Sequence, residues 1–461
     1  MAALTWTREK TVKNLASRRW RHIAAIALFA CLAGSLITNA FAQGRGEEKF
    51  SNLPRFAPGS LFEPQSNYVL MQDFGKRAHS NVRILVPPAN PFAKAQTSAG
   101  TPPFAGYFYE TPASLACVYG LVSTTVAGCN PNLTATNVAT GSRSIALVDA
   151  YDYPGAKSDL ATFSSQFGLP APSSANFRVV YATGVKPPSG VHSGWDLEAA
   201  LDLDMAHGLA PRAKIYLVEA ASSSLQDMFQ AVRKAASLVA ADGGGEVSMS
   251  WGSGEFATEG FYDSAMATAR IVYFAAAGDS PGTLYPCTSP NAVCVGGTGN
   301  SRNAATGVFQ GNVAWADTGG GTSSYEARPN YQDGIAGIIG ARRGVPDIAA
   351  IADPRTGVWI YNAAWAGSCV GNSGWCIVGG TSAATPVMAA IVNSAGRFPS
   401  SSAAELSLIY STLGAAGAGW SDVTSGACGF YDGFAAFRGW DQCTGIGVPQ
   451  GATSFKVVIM P

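Results

Sequence analysis

Residues 379–386 read GGTSAATP: a glycine pair, Thr381, Ser382, small residues and then Pro386. The sequence after Ser382 predicts a helix, so this serine stands where a glycine-rich turn enters one. A serine hydroxyl is a poor nucleophile until a positioned base takes its proton. What Ser382 can do therefore depends on what the rest of the chain places beside it.

Histidine is the usual base, and the chain has four: His22, His79, His192 and His207. The first two lie in the N-terminal leader. His192 sits in KPPSGVHSGW, a Pro/Gly-rich loop with no helix to fix its ring. His207 lies on a predicted helix, about 180° around the axis from Glu198 and about 140° from Asp202 at ~100° per residue. Both read as structural. The same helix, GWDLEAALDLDMAHGLAP, carries Glu198 and Asp202 four residues apart and so stacked on one face. That spacing is ordinarily a solvated face. Two adjoining carboxyls, however, share a proton and one apparent pKa rises, which makes a carboxylate a better base than its ordinary value of about 4.3 allows.

Apolar runs at 144–151, 177–184, 213–220, 246–252, 270–278 and 292–297 read as strands, several of them apolar on both faces. Helical stretches fall between them at about 194–208, 222–240 and 259–269. Strands alternating with helices predict an α/β fold, a doubly wound and mainly parallel sheet with helices on both faces and ligands at the carboxyl ends of the strands.

The N-terminal region differs. Six basic residues precede the apolar run HIAAIALFACLAGSLI and then Ala40-Phe41-Ala42, the order of a secretory signal over 1–42. The apolar run is shorter than the ~20 residues that span a bilayer, so no membrane anchor is expected after its removal. Residues 43–107 are rich in Pro and polar residues with little periodicity and read as a short pro-segment or linker, leaving 108–461 as the main domain. Lys plus Arg and Asp plus Glu each number 30 in the whole chain; the signal takes six of the basic residues and only one acidic residue, so the remainder is mildly acidic and does not suggest nucleic acid. Beyond Cys31, eight cysteines fall into close sequential pairs, 117 with 129, 287 with 294, 369 with 376 and 428 with 443, which suits surface disulfides in an oxidising compartment better than a zinc site. Spacing alone leaves the pairing open.

The segments GWDLEAALDLDMAHGLAP, SMSWGSGE, FAAAGDSPG, VCVGGT, GGTSAATP, SDVTSG and GWDQCTGIG occur in this order. From about residue 109 to the C-terminus the chain resembles the sedolisin family, serine-carboxyl peptidases that are acid-acting relatives of subtilisin with a glutamate in place of the histidine. The resemblance implies a subtilisin-like fold, with Ser382 as nucleophile, Glu198 as general base, Asp202 as its carboxyl partner and Asp279 at the oxyanion position. It also places Asp149 and Trp251 behind the glutamate as a proton network. It implies one structural calcium ion on Asp422, Val423, Phe437, Gly439 and Asp441, through two carboxylates and three main-chain carbonyls. Family members usually have a long folded pro-domain, and this chain has only a short segment. Because Asp279 must be protonated to donate to an oxyanion, the expected activity is hydrolysis of protein or peptide substrates through an acyl-enzyme at roughly pH 3 to 5, by a secreted monomer. Endopeptidase action is the expectation, with tripeptidyl-peptidase action as the alternative on the same site. The rivals are an ordinary triad with Asp149 and His192, and a catalytically silent secreted homologue acting as a binding domain.

Overall fold

The computed structural model describes residues 59–451 apart from 124, 397, 415–418 and 430–432; the expected signal over 1–42 lies outside the described residues. Residues alternate in side along each strand, and this decides the layering. In the strand Ser144–Ala150, Ile145 and Leu147 enter one apolar cluster, and Ala146, Val148 and Ala150 enter a second on the opposite face. The neighbouring strand Lys214–Ala220 divides in the same way. Strands buried on both faces need helices on both, as the apolar runs predict.

The central sheet has eight strands. Phe177–Tyr181, Lys214–Ala220, Ser144–Ala150, Gly245–Met249, Ile271–Ala276 and Val293–Arg302 lie side by side in parallel, Ile348–Ile351 adds in parallel to the last of these, and Phe309–Ala314 pairs with it antiparallel. The helix Leu225–Ala241 covers one face. Its buried residues recur at helical spacing, and the side chain of its N-cap residue Ser224 accepts from Asp227 N. The helix Trp195–Leu209 lies on the other face against the helix Thr381–Ser394, and every one of its residues is buried. This overturns the ordinary reading of Glu198 and Asp202 as a solvated pair, because the helix is covered on all sides.

Two further expectations change. Residues 259–269 form a 3-10 stretch, Glu259–Met266, rather than an α-helix. The Glu259 carboxylate accepts from Phe256 N, and Asp263 accepts from Tyr285 and Ser289, so side-chain bonds to neighbouring segments hold the tighter coil. Residues 59–107, within the expected pro-segment or linker, carry short strands that pair with the main domain. The strand Arg83–Leu85 is an inner member of a four-stranded sheet, between Leu61–Phe62 and Trp375–Gly379, and His79–Ser80 pairs with Trp251–Gly254. Disulfides join Cys117 to Cys129, Cys287 to Cys294, Cys369 to Cys376 and Cys428 to Cys443. Among the described residues, no helix is long and apolar enough to cross a membrane.

Candidate active site

Ser382 is the second residue of its helix, directly after Gly380 and Thr381. Gly380 has φ 115°, and a Cβ there would collide with both Asn81 O and Asp279 Oδ2, so only glycine allows the turn and those two oxygens to converge. Pro386 cannot donate the usual helical bond to the Ser382 carbonyl. Ser250 Oγ lies 3.4 Å from that carbonyl instead. The Ser382 N–H, freed at the helix N-terminus, reaches Asn81 O at 3.3 Å.

The carboxyls come from three elements at the carboxyl edge of the sheet. Strand alternation turns Asp149 to the face that carries the helix Trp195–Leu209, opposite its register partner Glu219. Glu198 and Asp202 face it from that helix, and Asp279 follows the strand Ile271–Ala276. Ser250, between Gly245–Met249 and Trp251–Gly254, ties the group together. Its hydroxyl donates to Asp202 Oδ1 at 2.6 Å, and its carbonyl accepts the Ser382 hydroxyl at 2.9 Å.

Burial dominates the electrostatics. It pushes Glu198 well above the ordinary carboxyl range, with Asp202 and Asp149 adding repulsion and the nearby Ser382 hydroxyl opposing it. Burial raises Asp202 to about 8 against the bond from Ser250, and raises Asp149 with help from Asp202 and Glu219. Both Glu198 oxygens lack a hydrogen-bond partner of good geometry, and the Ser382 hydroxyl rests on Ser250 O. Glu198 is nevertheless near enough to this hydroxyl for it to oppose the rise in the carboxyl's pKa. The group as a whole holds fewer charges than carboxyls, which leaves it able both to take a proton and to return one.

Asp279 is held through one oxygen. Oδ1 accepts from Thr381 N at 2.7 Å and from Thr381 Oγ1 at 3.0 Å, and Oδ2 is buried without a partner. Burial raises this carboxyl to about 7, despite Arg83 and Thr381 favouring its anion. Oδ2 and Asn81 O, the acceptor of the Ser382 N–H, both lie beside Gly380, where a Cβ would meet each of them. A protonated carboxyl next to a free helix-terminal N–H supplies the two donors an oxyanion hole needs.

Sequence reasoning named Ser382, Glu198, Asp202, Asp279 and Asp149, and the structure brings all five together. Trp251 is a correction. It is fully buried against Phe229, and its indole N–H donates to Val148 O at 2.9 Å, so it packs the site and its one donor is not spent on a carboxyl. Each of the three described histidines bonds a main-chain carbonyl: His79 to Ser80, His192 to Ala364 and His207 to Pro170. Sequence reasoning missed Ser250, visible only as the serine before Trp251 in SMSWG, and Asn81, for which there was no signal.

Asp422 and Asp441 meet at one turn. Asp422 Oδ2 accepts from Gly439 N at 2.8 Å and Asp441 Oδ2 from Phe437 N at 3.3 Å; Val423 is buried beside them and Phe437 is half exposed. Asp441 Oδ1 also takes the N–H groups of Cys443 and Thr444.

A cleft of about 570 Å³ adjoins the centre, lined by Asn81, Asp279, Gly254, Glu255, Ser280 and Leu284 among others. Along it, Ser80 and His79 pair antiparallel with Trp251 and Gly252, and Gly75 N reaches Ser253 Oγ at 3.0 Å.

A model of the subtilase family matches residues 190–413. Kumamolisin of Bacillus sp. (strain MN-32) is 31% identical over 337 residues, covering 66% of this chain and 58% of the relative. Sedolisin of Pseudomonas sp. (strain 101) is 28% identical over 330 residues, covering 63% and 53%. The chain thus spans between half and two thirds of the length of these relatives. The solved structure of Pseudomonas sedolisin, a serine-carboxyl proteinase complexed with two molecules of pseudo-iodotyrostatin, shares the fold at a TM-score of 0.59 and 22% identity, covering 74% of this chain and 95% of that one. The region matched by the subtilase model contains the serine and both helix carboxyls, and these comparisons support kinship with the sedolisins.

Proposed function

We propose that this chain is a serine-type peptidase of the serine-carboxyl kind that hydrolyses peptide bonds in acid through an acyl-enzyme on Ser382. The observation that carries the reading is the Ser382 N–H on a main-chain carbonyl oxygen, Asn81 O, with the unpartnered Asp279 Oδ2 and the unpartnered buried Glu198 gathered beside it. Glu198 takes the hydroxyl proton as Ser382 adds to the substrate carbonyl, and Asp202 and Asp149 share the proton load. Protonated Asp279 and the helix N-terminus stabilise the oxyanion. Glu198 then protonates the leaving amine, and water completes the reverse sequence on the ester.

Endopeptidase action is favoured over tripeptidyl-peptidase action because the groove along Trp251–Gly254 holds chain well past the third residue before the nucleophile, out to Gly75. The kindred names kumamolisin and sedolisin support a peptidase, and the four disulfides support an oxidising compartment outside the cytosol. We also assign one structural calcium ion to the Asp422–Asp441 turn. Its donor set fits, since two carboxylates and the carbonyls of Val423, Phe437 and Gly439 are all hard oxygens. Such an ion would fix the C-terminal segment and takes no part in the chemistry. The protein is proposed to act as a monomer.

The test is hydrolysis of denatured casein at pH 4 by the intact chain, Ser382→Ala and Glu198→Ala. Activity confined to the intact chain supports the reading, and equal inertness of all three supports the silent, binding-domain alternative.

A further inference from the structure

The carbonyl in the oxyanion hole belongs to the chain itself. Asn81 O accepts from Ser382 N, and Asn81 N donates to Ser382 Oγ at 3.2 Å, so the backbone of Asn81 is held to the nucleophile residue at both its N–H and its carbonyl oxygen. Asn81 Nδ2 reaches Ser250 O at 3.4 Å, and the two residues before it run antiparallel to Trp251–Gly252. Ser80, Asn81 and Val82 are almost wholly buried. A stretch of backbone that pairs with one wall of the groove, gives one carbonyl to the N–H of the nucleophile and continues out of the far side is placed as a substrate.

The two sides of the Asn81–Val82 bond are also joined by a third residue. The Asn67 side chain accepts from Ser80 Oγ at 2.8 Å and from Val82 N at 3.4 Å, and its amide nitrogen donates to Val82 O at 2.7 Å. Further out, Leu61 pairs with Leu85 and Phe62 with Ile84, and Glu63 bridges Arg83 at 2.9 Å. Residues 61–85 therefore form a loop closed at its base, with the bond in its buried middle. Ser66 N on Ser193 O and Ala78 N on Ser223 O fasten the loop to the domain.

We infer that the Asn81–Val82 bond is the first bond this enzyme cuts, and that Asn67 is a clasp that keeps both new ends in place and holds the cut chain inactive. The inference rests on the peptidase reading above. In the step, Ser382 Oγ bonds to the Asn81 carbonyl carbon while its proton passes to Glu198. The bond to the Val82 nitrogen breaks as Glu198 returns that proton, giving an ester on Ser382 and a free Val82 amine. A water molecule then adds to the ester, leaving the Asn81 carboxyl and restoring the serine hydroxyl. Asn67 is a positioning residue here. By holding the Val82 amine beside the ester it sets amine against water; a held reactant reaches an effective molarity of about 10⁵ to 10⁸ M, and the unprotonated fraction of an α-amine at pH 4, about 10⁻⁴, lowers this to about 10 to 10⁴ M, comparable with or above water. Re-forming the bond then competes with hydrolysis.

The experiment takes the full chain from neutral pH to pH 4 and follows intact and cut masses with N-terminal sequencing and a casein assay. The expected result is a new terminus at Val82, a plateau with intact and cut forms both present, and little casein hydrolysis until the segment ending at Asn81 leaves. Ser382→Ala should stay whole. Asn67→Ala should cut to completion and gain casein activity without a lag at least tenfold sooner; Asn67→Ala/Ser382→Ala, compared with Ser382→Ala by melting, checks that the fold is kept. If the Asn67 variant does not fold, the plateau in the unaltered chain decides. A first terminus elsewhere than Val82, or casein hydrolysis by a chain whose Asn81–Val82 bond stays whole, overturns the inference and leaves the peptidase reading standing. Immediate completion of the cut in the unaltered chain overturns the clasp. Absence of both self-cutting and casein hydrolysis from pH 3 to 7 overturns the peptidase reading itself.

Discussion

Thr381 holds Asp279 by one oxygen only, with its N–H at 2.7 Å and its hydroxyl at 3.0 Å, both on Oδ1. The other oxygen is left to carry a proton toward the point where charge develops. Asp279→Ala removes that donor and should lower kcat by about 10² to 10³, the usual cost of one oxyanion donor. Asp279→Asn keeps a donor that does not titrate. Its activity should persist above pH 7, where the unaltered enzyme loses the Asp279 proton. Steady-state kcat against pH for the three proteins measures both effects.

Glu198→Gln should abolish turnover by at least about 10³, since a neutral amide cannot accept the Ser382 proton. The same change removes a buried acid whose ionisation is opposed by burial and by Asp202. Its melting temperature at pH 8 should therefore equal or exceed that of the unaltered protein. A lower one would mean that Glu198 supports the fold through its charge.

Stability should fall as pH rises. Burial lifts Asp202 to about 8, Asp279 to about 7, Glu219 to about 8 and Glu326 to about 7. Each is raised above its unfolded value, so the native state binds more protons through the interval, and the stability is fully present below about pH 4 and lost through 7 to 8. Calorimetry from pH 4 to 8 should show a falling melting temperature, and a rise would contradict the assignment.

Calcium should act on stability without entering the chemistry. At a free concentration 100 times its Kd, one ion bound only by the native state adds about 2.7 kcal/mol. The intact protein should melt higher with calcium than with a chelator, and Asp422→Ala should lose the difference. Isothermal titration of the folded chain should give one site.

Trp251→Phe separates packing from proton transfer. The ring that meets Phe229 is largely kept and the bond to Val148 O is lost, leaving that carbonyl unpaired at about 1 to 3 kcal/mol. The variant should melt lower yet retain most of its kcat at pH 4.

The parts of the site that were legible in the sequence are those set by local periodicity. Glu198 and Asp202 share a helix face because they are four apart, and Ser382 enters a helix because glycines precede it and small residues follow. Asp149 follows from a strand end, whereas Asp279 and the roles of all four catalytic residues came from the resemblance to the sedolisins and not from periodicity. The burial of the carboxylate helix was not legible, because it depends on a second helix that arrives nearly two hundred residues later. Nor was the seating of residues 59–85: they gain their structure by pairing with Trp251–Gly254 and with the distant strand Trp375–Gly379, and isolated short strands of this kind leave no alternation to read. Asn67 was invisible for the same reason.

The oxygen of Asp279 that lacks a partner also makes the surroundings a control on the centre. Burial sets this carboxyl at about 7 and Thr381 grips only its other oxygen, so passage from a neutral to an acid medium changes the charge at this point without breaking the grip.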